Sequence, residues 1–181
     1  MNVMNMSKVN QSGRSTTLLS LIIKFENGVE KLLSLGAVIG IVSLCFVVML
    51  QIFGRLFLDT PPVWTEELAR YLFIGTVSIS VGIAYKRGEL VSVELLYNVL
   101  SKRNAHIFTA AVSVIIFTFG WILYPSAMQF MQIGEFQTSP TMFFPMNYVF
   151  ASTVVILLNL MLFSALSFLK SILSILNSGD A

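Results

Sequence analysis

The run "LLSLGAVIGIVSLCFVVMLQIFG", residues 32–54, decides in which solvent this chain folds. It holds no charged residue, and about 20 apolar residues are enough for a helix to cross the roughly 30 Å hydrocarbon core of a bilayer. Residues 107–134 and 136–169 are also free of charge. The 181-residue chain is 56% hydrophobic and 11% charged, whereas soluble domains carry about 25% charged residues. The sequence therefore predicts an integral membrane protein.

The fold class predicted is all-α, because barrel strands alternate apolar and polar residues at period two and these runs do not. Pro125 is expected to kink the third span, since proline removes a backbone donor and clashes with the preceding turn. Residues 1–31 are predicted to be a cytoplasmic N-terminal segment and residues 171–181 a cytoplasmic tail. Between them, a membrane domain of residues 32–170 contains four transmembrane helices, at about 32–57, 68–85, 105–133 and 145–169.

The distribution of lysine and arginine predicts the orientation of the chain. Under the four-span scheme, nine of the 11 basic residues lie on one side of the membrane, and only Arg55 and Arg70 lie on the other. Cytoplasmic loops carry the excess of such residues, so both termini are expected on the cytoplasmic side of the membrane, and the other side is the periplasm if the host is a Gram-negative bacterium. No cleavable signal peptide is predicted, because the apolar run at residues 18–23 is short and charges follow it.

Two shorter segments have the pattern of amphipathic helices that lie along the cytoplasmic interface. Residues 18–32 repeat apolar side chains at helical spacing, with Lys24, Asn27 and Lys31 on the other face. Residues 94–101 carry a polar stripe on an otherwise apolar helix. Plain connectors that pack on the ends of the bundle are the alternative.

Catalytic and cofactor-binding residues are scarce. The only histidine is His106 and the only cysteine is Cys45, so a bis-histidine haem, a metal cluster and a nucleophilic triad are not expected. No cofactor, no metal and no enzyme activity are predicted. The net charge of +2 follows from topology and does not indicate a nucleic-acid partner.

The spans themselves contain polar amides and hydroxyls but no carboxylate or cation near the membrane centre. Proton relays and ion sites use such ionisable groups, so a transport pathway inside this chain alone is not expected. Asn159 and the glutamines are predicted to form helix-to-helix hydrogen bonds of about 0.6 kcal/mol each.

Small residues spaced by four indicate positions where helices approach closely. Gly36 and Gly40 form one such pair in the first span, and Ser78 and Gly82 form another in the second. A chance spacing of small residues is the alternative.

The stretch "TPPVWTEELARYLF", residues 60–73, begins the second span with a cluster of charges. Thr65 is predicted to cap the helix, and Glu66 and Glu67 fall in the first turn, where the helix dipole favours anions. Arg70 follows Glu66 at the favourable spacing of four. Trp64 has the amphipathic ring typical of the headgroup level. This local explanation does not account for Arg55 at the end of the first span.

The longer stretch "QIFGRLFLDTPPVWTEELARYLF", residues 51–73, resembles the signature of the small membrane subunit (Q, or DctQ-like) of tripartite ATP-independent periplasmic (TRAP) transporters. The matching elements are Phe-Gly-Arg at 53–55 and Trp-Thr-Glu-Glu-Leu-Ala-Arg at 64–70. "AYKRGELVSVELL", residues 84–96, is similar to a second family segment, with Leu90 and Glu94 in place of the usual His and Asp. "TSPTMFFPM", residues 138–146, is similar to the family's Ser-Pro-x4-Pro loop. The resemblance covers residues 30–170.

The resemblance implies a partnership that composition cannot show. Q subunits pair with a large multi-span subunit that holds the sodium and substrate sites and moves as an elevator. A periplasmic binding protein delivers an organic acid such as a C4-dicarboxylate or sialic acid. The Q subunit acts as a scaffold, surrounded by membrane lipids. The expected partner-binding and structural residues are Arg55, Trp64, Glu66, Glu67, Arg70, Ser139 and Pro140.

Two other classes of function stay open from the residues alone. One is an autonomous small channel or transporter, for which no midplane site is evident. The other is a membrane anchor or assembly factor of an unrelated complex, which shares the composition without the Trp-to-Arg block.

Overall fold

A computed structural model describes residues 3–58, 62–90 and 102–178, and these ranges are helical apart from short connections. A 3-10 turn, Gly134–Phe136, follows the third helix, and no β-strand occurs within the described ranges. All four long helices are apolar enough to cross a membrane, so the predicted all-α, four-span fold class is confirmed. The helices are α1 Val3–Phe57, α2 Trp64–Lys86, α3 Lys102–Ile133 and α4 Asn147–Ser178.

The first helix differs from the expected surface helix followed by a separate span, because α1 is continuous. Its apolar part, Leu19–Phe57, has 39 residues, which is about 58 Å at 1.5 Å per residue. No proline interrupts the helix near residue 31, and the acidic side chains of that region form ion pairs with Lys86, Arg87 and Lys170. The second predicted surface helix, at 94–101, lies outside the described residues.

The helices pack in an order that differs from their order in the chain. Helix α1 packs on α2, α2 on α4, and α4 makes its most extensive contact with α3, while α1 also touches α4. Between α3 and α4, Ala127, Val154 and Leu157 form a buried apolar cluster. Phe163 is almost fully buried where α4 meets α2. Thus α4 is the central helix of the bundle, and α1 and α3 are its two flanks.

The start of α2 also differs from the predicted cap. The helix begins at Trp64 after Val63, and no side chain caps it. Thr65 is buried, and its hydroxyl donates to the carbonyl of Pro62 at 2.7 Å. The Thr65 N-cap prediction is therefore wrong: the helix starts before it, and its hydroxyl closes the preceding turn instead.

Candidate functional site: two polar clusters at the helix ends

The first polar cluster joins the end of α1, the start of α2 and the loop between α3 and α4. We call it the Glu67 cluster, and it consists of Arg55, Glu66, Glu67, Tyr71 and Thr141. The guanidinium of Arg55 forms an ion pair with the carboxylate of Glu66, so the two helices are tied across their connection. Both side chains of this pair are about half exposed, and such pairs contribute only about 0–1 kcal/mol to stability.

Glu67 holds the loop rather than facing solvent. One carboxylate oxygen accepts the backbone N–H of Thr141 at 3.1 Å and also the Thr141 hydroxyl. The other oxygen accepts the hydroxyl of Tyr71, and the ring of Tyr71 meets Phe144 edge-on, with centroids 5.3 Å apart. Because both oxygens are used within the chain, Glu67 positions the loop on α2.

The loop of residues 137–146 has its own internal hydrogen bonds. The N–H of Ser139 donates to the carbonyl of Phe144 at 2.9 Å, and that of Met146 donates to Gln137 at 2.9 Å. Ser139 is buried, and its hydroxyl oxygen accepts the N–H of Met142 at 3.2 Å. Phe143 has a φ of 55° and an exposed ring. The loop is therefore an ordered platform that presents an aromatic side chain outward.

The other residues predicted at this end are placed on its surface. Trp64 is exposed in the first turn of α2, and Pro140 is exposed on the loop. Arg70 is exposed as well, and it forms no ion pair with any residue that the structure describes. Of the predicted charged residues, Arg55 and Glu66 are thus brought together, while Arg70 stands apart.

A second polar cluster lies at the opposite end of the helices, and sequence reasoning did not predict it. We call it the Glu26 cluster, and it consists of Glu26, Glu30, Lys86, Arg87 and Lys170. The ammonium of Lys170 binds both oxygens of the buried Glu26, at 2.7 and 2.8 Å. Glu30 binds Lys86 at 2.6 Å and Arg87 at 3.1 Å. These pairs join α1 to both α2 and α4.

A sequence signal for the Glu26 cluster did exist. Glu26 and Glu30 are four residues apart, so they share one face of a helix. Lys170 is the lone cation that follows the long uncharged run ending at residue 169. The helical pattern of residues 18–32 predicted a polar face at Lys24, Asn27 and Lys31 instead. Of these, Asn27 does contact the cluster, because its side-chain oxygen accepts from Lys86 at 2.7 Å.

The two clusters are separated by a distance that matches a bilayer. From Glu66 to Lys86 along α2, the rise is about 30 Å at 1.5 Å per residue, and the hydrocarbon core is roughly 30 Å thick. Between the clusters, Arg70 lies one turn inside Glu66 on α2, and no Asp, Glu, Lys, Arg or His lies nearer the middle of the spans. The side-chain amide of Asn159 donates to the carbonyl of Ser78 at 3.0 Å, which is a helix-to-helix hydrogen bond as predicted for Asn159.

The small residues of α1 and α2 lie at different kinds of helix contact. At Gly40 an added Cβ would collide with Thr76, whereas at Gly36 it would meet Ile79 at an ordinary 3.8 Å. At Gly82 an added Cβ would lie 2.6 Å from the ring of Phe163. Ser78, one turn before Gly82, is buried. Close approach therefore occurs at Gly40 and Gly82.

A cleft between α3 and α4 has a mainly apolar lining. Its volume is about 330 Å³. Its two hydroxyls, on Ser113 and Ser164, each donate to a carbonyl of their own helix. Among the described residues, no group of three His, Cys, Asp or Glu is placed to hold a metal. The cleft is lined by Ser113, Val114, Phe117, Ser164, Ala165, Phe168 and Leu169.

Comparison with protein families places the chain beside transporter components. The family model described as "Tripartite ATP-independent periplasmic transporters, DctQ component" matches residues 44–174. The matched region holds the whole Glu67 cluster and three of the four helices in full length or nearly so. No curated protein matches the chain.

Proposed function

The chain belongs to the DctQ family of TRAP transporter components, as a small permease subunit, and we propose that it serves as the scaffold of its transporter. It is a multi-pass protein of the inner membrane, with four helices that can span the bilayer. The scaffold holds the large membrane subunit in place while that subunit carries the transported solute through the membrane.

The observation that carries this proposal is the position of the charged groups. They are concentrated near the two ends of the helices: the innermost is Arg70, one turn inside Glu66, and the middle of the spans carries none. A site for sodium or an organic anion within the membrane needs polar ligands there. The lack of ionisable groups in the middle of the spans therefore favours a scaffold role for this chain, with the transport sites on the large subunit.

The proposal extends to the energy source, the substrate class and the orientation. We infer a sodium-driven symporter of organic acid anions, of the C4-dicarboxylate or sialic acid type, on the strength of the family resemblance. The distribution of Lys and Arg supports cytoplasmic termini. In that orientation, the Glu67 cluster faces the periplasm and the Glu26 cluster faces the cytoplasm.

The periplasmic end then offers a docking face for the large subunit and for the substrate-binding protein. The carboxylate of Glu67 is hydrogen-bonded within the chain, to Tyr71 and to Thr141 of the loop. Glu67 therefore positions the loop of this face and does not itself contact a partner. The exposed residues of the face are Arg55, Trp64, Glu66, Arg70 and Pro140. Glu67 is thus a positioning residue, whereas these exposed residues are the ones that contact a partner.

The test uses the tagged chain, co-expressed with the large subunit and supplied with the binding protein. Arg55→Glu should lower both recovery of the complex and sodium-driven uptake of labelled organic acid, because it places two carboxylates together at the docking face. The isolated variant should stay folded, since the exposed pair contributes only about 0–1 kcal/mol. Glu135→Lys, another charge change at an exposed position of the same end, is the control and should leave recovery unchanged.

The double variant Arg55→Glu/Glu66→Arg separates two roles of the pair. If the swap restores uptake, Arg55 acts by tying α1 to α2; if it does not, Arg55 contacts a partner. Normal assembly and uptake in the single variant would refute the role of Arg55. Transport by the chain alone in liposomes would refute the scaffold function itself.

A further inference from the structure

The face of α1 that is turned away from the other helices carries a regular apolar stripe. One row of this stripe repeats every seven residues and each member is more than half exposed. The bundle does not use these side chains, because the opposite face of α1, with Ala37, Val47 and Gly54, is the buried one. The row consists of Phe25, Leu32, Ile39, Phe46 and Phe53.

A second row runs beside the first, also at intervals of seven. Its members are likewise more than half exposed, except that Gly28 takes one position and has open space around it. Together the rows alternate steps of three and four residues, the 3.5-residue period of helices that pack along one another. The side chains of the second row are Leu21, Leu35, Val42, Met49 and Leu56.

Lipid alone does not account for the length of this stripe. From Leu21 to Leu56 the helix rises about 52 Å, whereas the hydrocarbon core is roughly 30 Å thick. Fitting the whole stripe into the core needs a tilt of about 55°, beyond the range of about 0–40° that membrane helices show. Leu21 and Phe25 also precede the charged Glu26 cluster in α1. At least one end of the stripe therefore lies outside the hydrocarbon.

The edge of the stripe carries charge at this same end. Lys24 and Lys31 are exposed beside it and form no ion pair with any described residue. The nearby acids of α1, Glu26 and Glu30, point to the other face and are paired there. In a contact between the α1 stripes of two copies in the same membrane orientation, the second copy brings its own Lys24 and Lys31 to this place, while its Glu26 and Glu30 are paired on the other face of α1. The stripe therefore fits a different helix, one with acidic side chains at its cytoplasmic end.

We propose that this stripe of α1 is the docking surface for a long apolar helix of the large membrane subunit. The partner helix lies along α1 at the crossing angle of about 20° that such packing favours, and its acidic side chains pair with Lys24 and Lys31. This inference rests on the proposed function, since it names the surface through which the scaffold holds its partner.

The experiment places the photo-crosslinking residue p-benzoyl-phenylalanine at Phe25 or Phe46 in the chain co-expressed with the large subunit. Both positions should give adducts with the large subunit on irradiation. The control position is Phe119, whose ring is exposed on α3 and should give no such adduct. Recovery of the two native subunits as one complex is measured in the same preparation.

The outcomes separate the docking surface from the function. If the subunits are recovered together but Phe25 and Phe46 react only with lipid, the docking surface is wrong and the scaffold function stands. Adducts between two copies of this chain likewise overturn the proposed partner. If the native subunits fail to form a complex, the proposed function fails and this inference fails with it.

The charged edge of the stripe has its own test. Lys24→Gln/Lys31→Gln should lower the yield of the Phe25 adduct several-fold, while Lys24→Arg/Lys31→Arg should keep it. The arginine variant keeps both positive charges and controls for folding. An unchanged yield in the glutamine variant would remove the acidic partner from the proposal.

Discussion

Lys170→Met tests whether the Glu26 cluster holds the bundle together. Methionine has a side chain of similar length to that of lysine but is apolar. The substitution therefore removes the cation that pairs with Glu26, the only one that does so among the described residues. The side chain of Glu26 is 3% exposed and that of Lys170 is 28% exposed. Removal of one partner from a buried ion pair costs about 3–5 kcal/mol. We expect the lower end, about 3 kcal/mol, because Lys170 is partly exposed to solvent.

The measurement is thermal unfolding in detergent micelles, followed by the fluorescence of Trp64 and Trp121. For a chain of this size, 1 kcal/mol corresponds to roughly 2–4 °C in Tm, so Lys170→Met should lower Tm by about 6–12 °C. Lys170→Arg keeps the charge and should stay close to the parent. Glu26→Met/Lys170→Met removes both charges and should recover much of the loss, since paired apolar replacements are often neutral.

The reasoning is wrong if Lys170→Met unfolds within about 1 °C of the parent protein, because that corresponds to less than about 0.5 kcal/mol. It is also wrong if the double variant loses as much as the two single variants combined. Such additivity means that the two side chains do not interact.

Two further predictions concern other contacts of the bundle. Gly82→Ala should destabilise the protein by about 1–3 kcal/mol, because the new methyl group meets the ring of Phe163. The control is Gly75→Ala, which has open space at the added Cβ and should be neutral or slightly stabilising in the same unfolding assay. Glu67→Gln should speed hydrogen exchange of the backbone N–H groups of the 137–146 loop by about tenfold or more, because a neutral amide replaces the charged acceptor of the Thr141 N–H and hydroxyl. Glu66→Gln is the matched control for the loop, and equal exchange in the two variants would show that Glu67 does not hold it.

The arrangement of the molecule links its stability to its proposed role. The two clusters join α1 to its neighbours at both ends, and Gly40 brings the middle of α1 close to Thr76 of α2. A helix held at both ends and in the middle keeps its outward stripe in a fixed position. This is the property that a scaffold needs while its partner moves.

Much of the fold was available from the sequence by itself. Hydropathy is a local property, so each window of about 20 apolar residues predicts a span regardless of what surrounds it. The four spans, the all-α class and the absence of ionisable groups from the middle of the membrane follow from such windows. The family resemblance was likewise carried by a short contiguous block at 64–70, and the family match agrees with it.

The tertiary structure decided which residues meet. Glu26 and Lys170 are 144 residues apart, and Glu67 and Thr141 are 74 apart; their pairing depends on the packing order of the helices, which no local pattern encodes. The docking of the first part of α1 has the same origin, because Glu26 and Glu30 pair with cations that lie far away in the chain. Local spacing predicts what each helix carries on its faces, but the partner of each face depends on long-range packing.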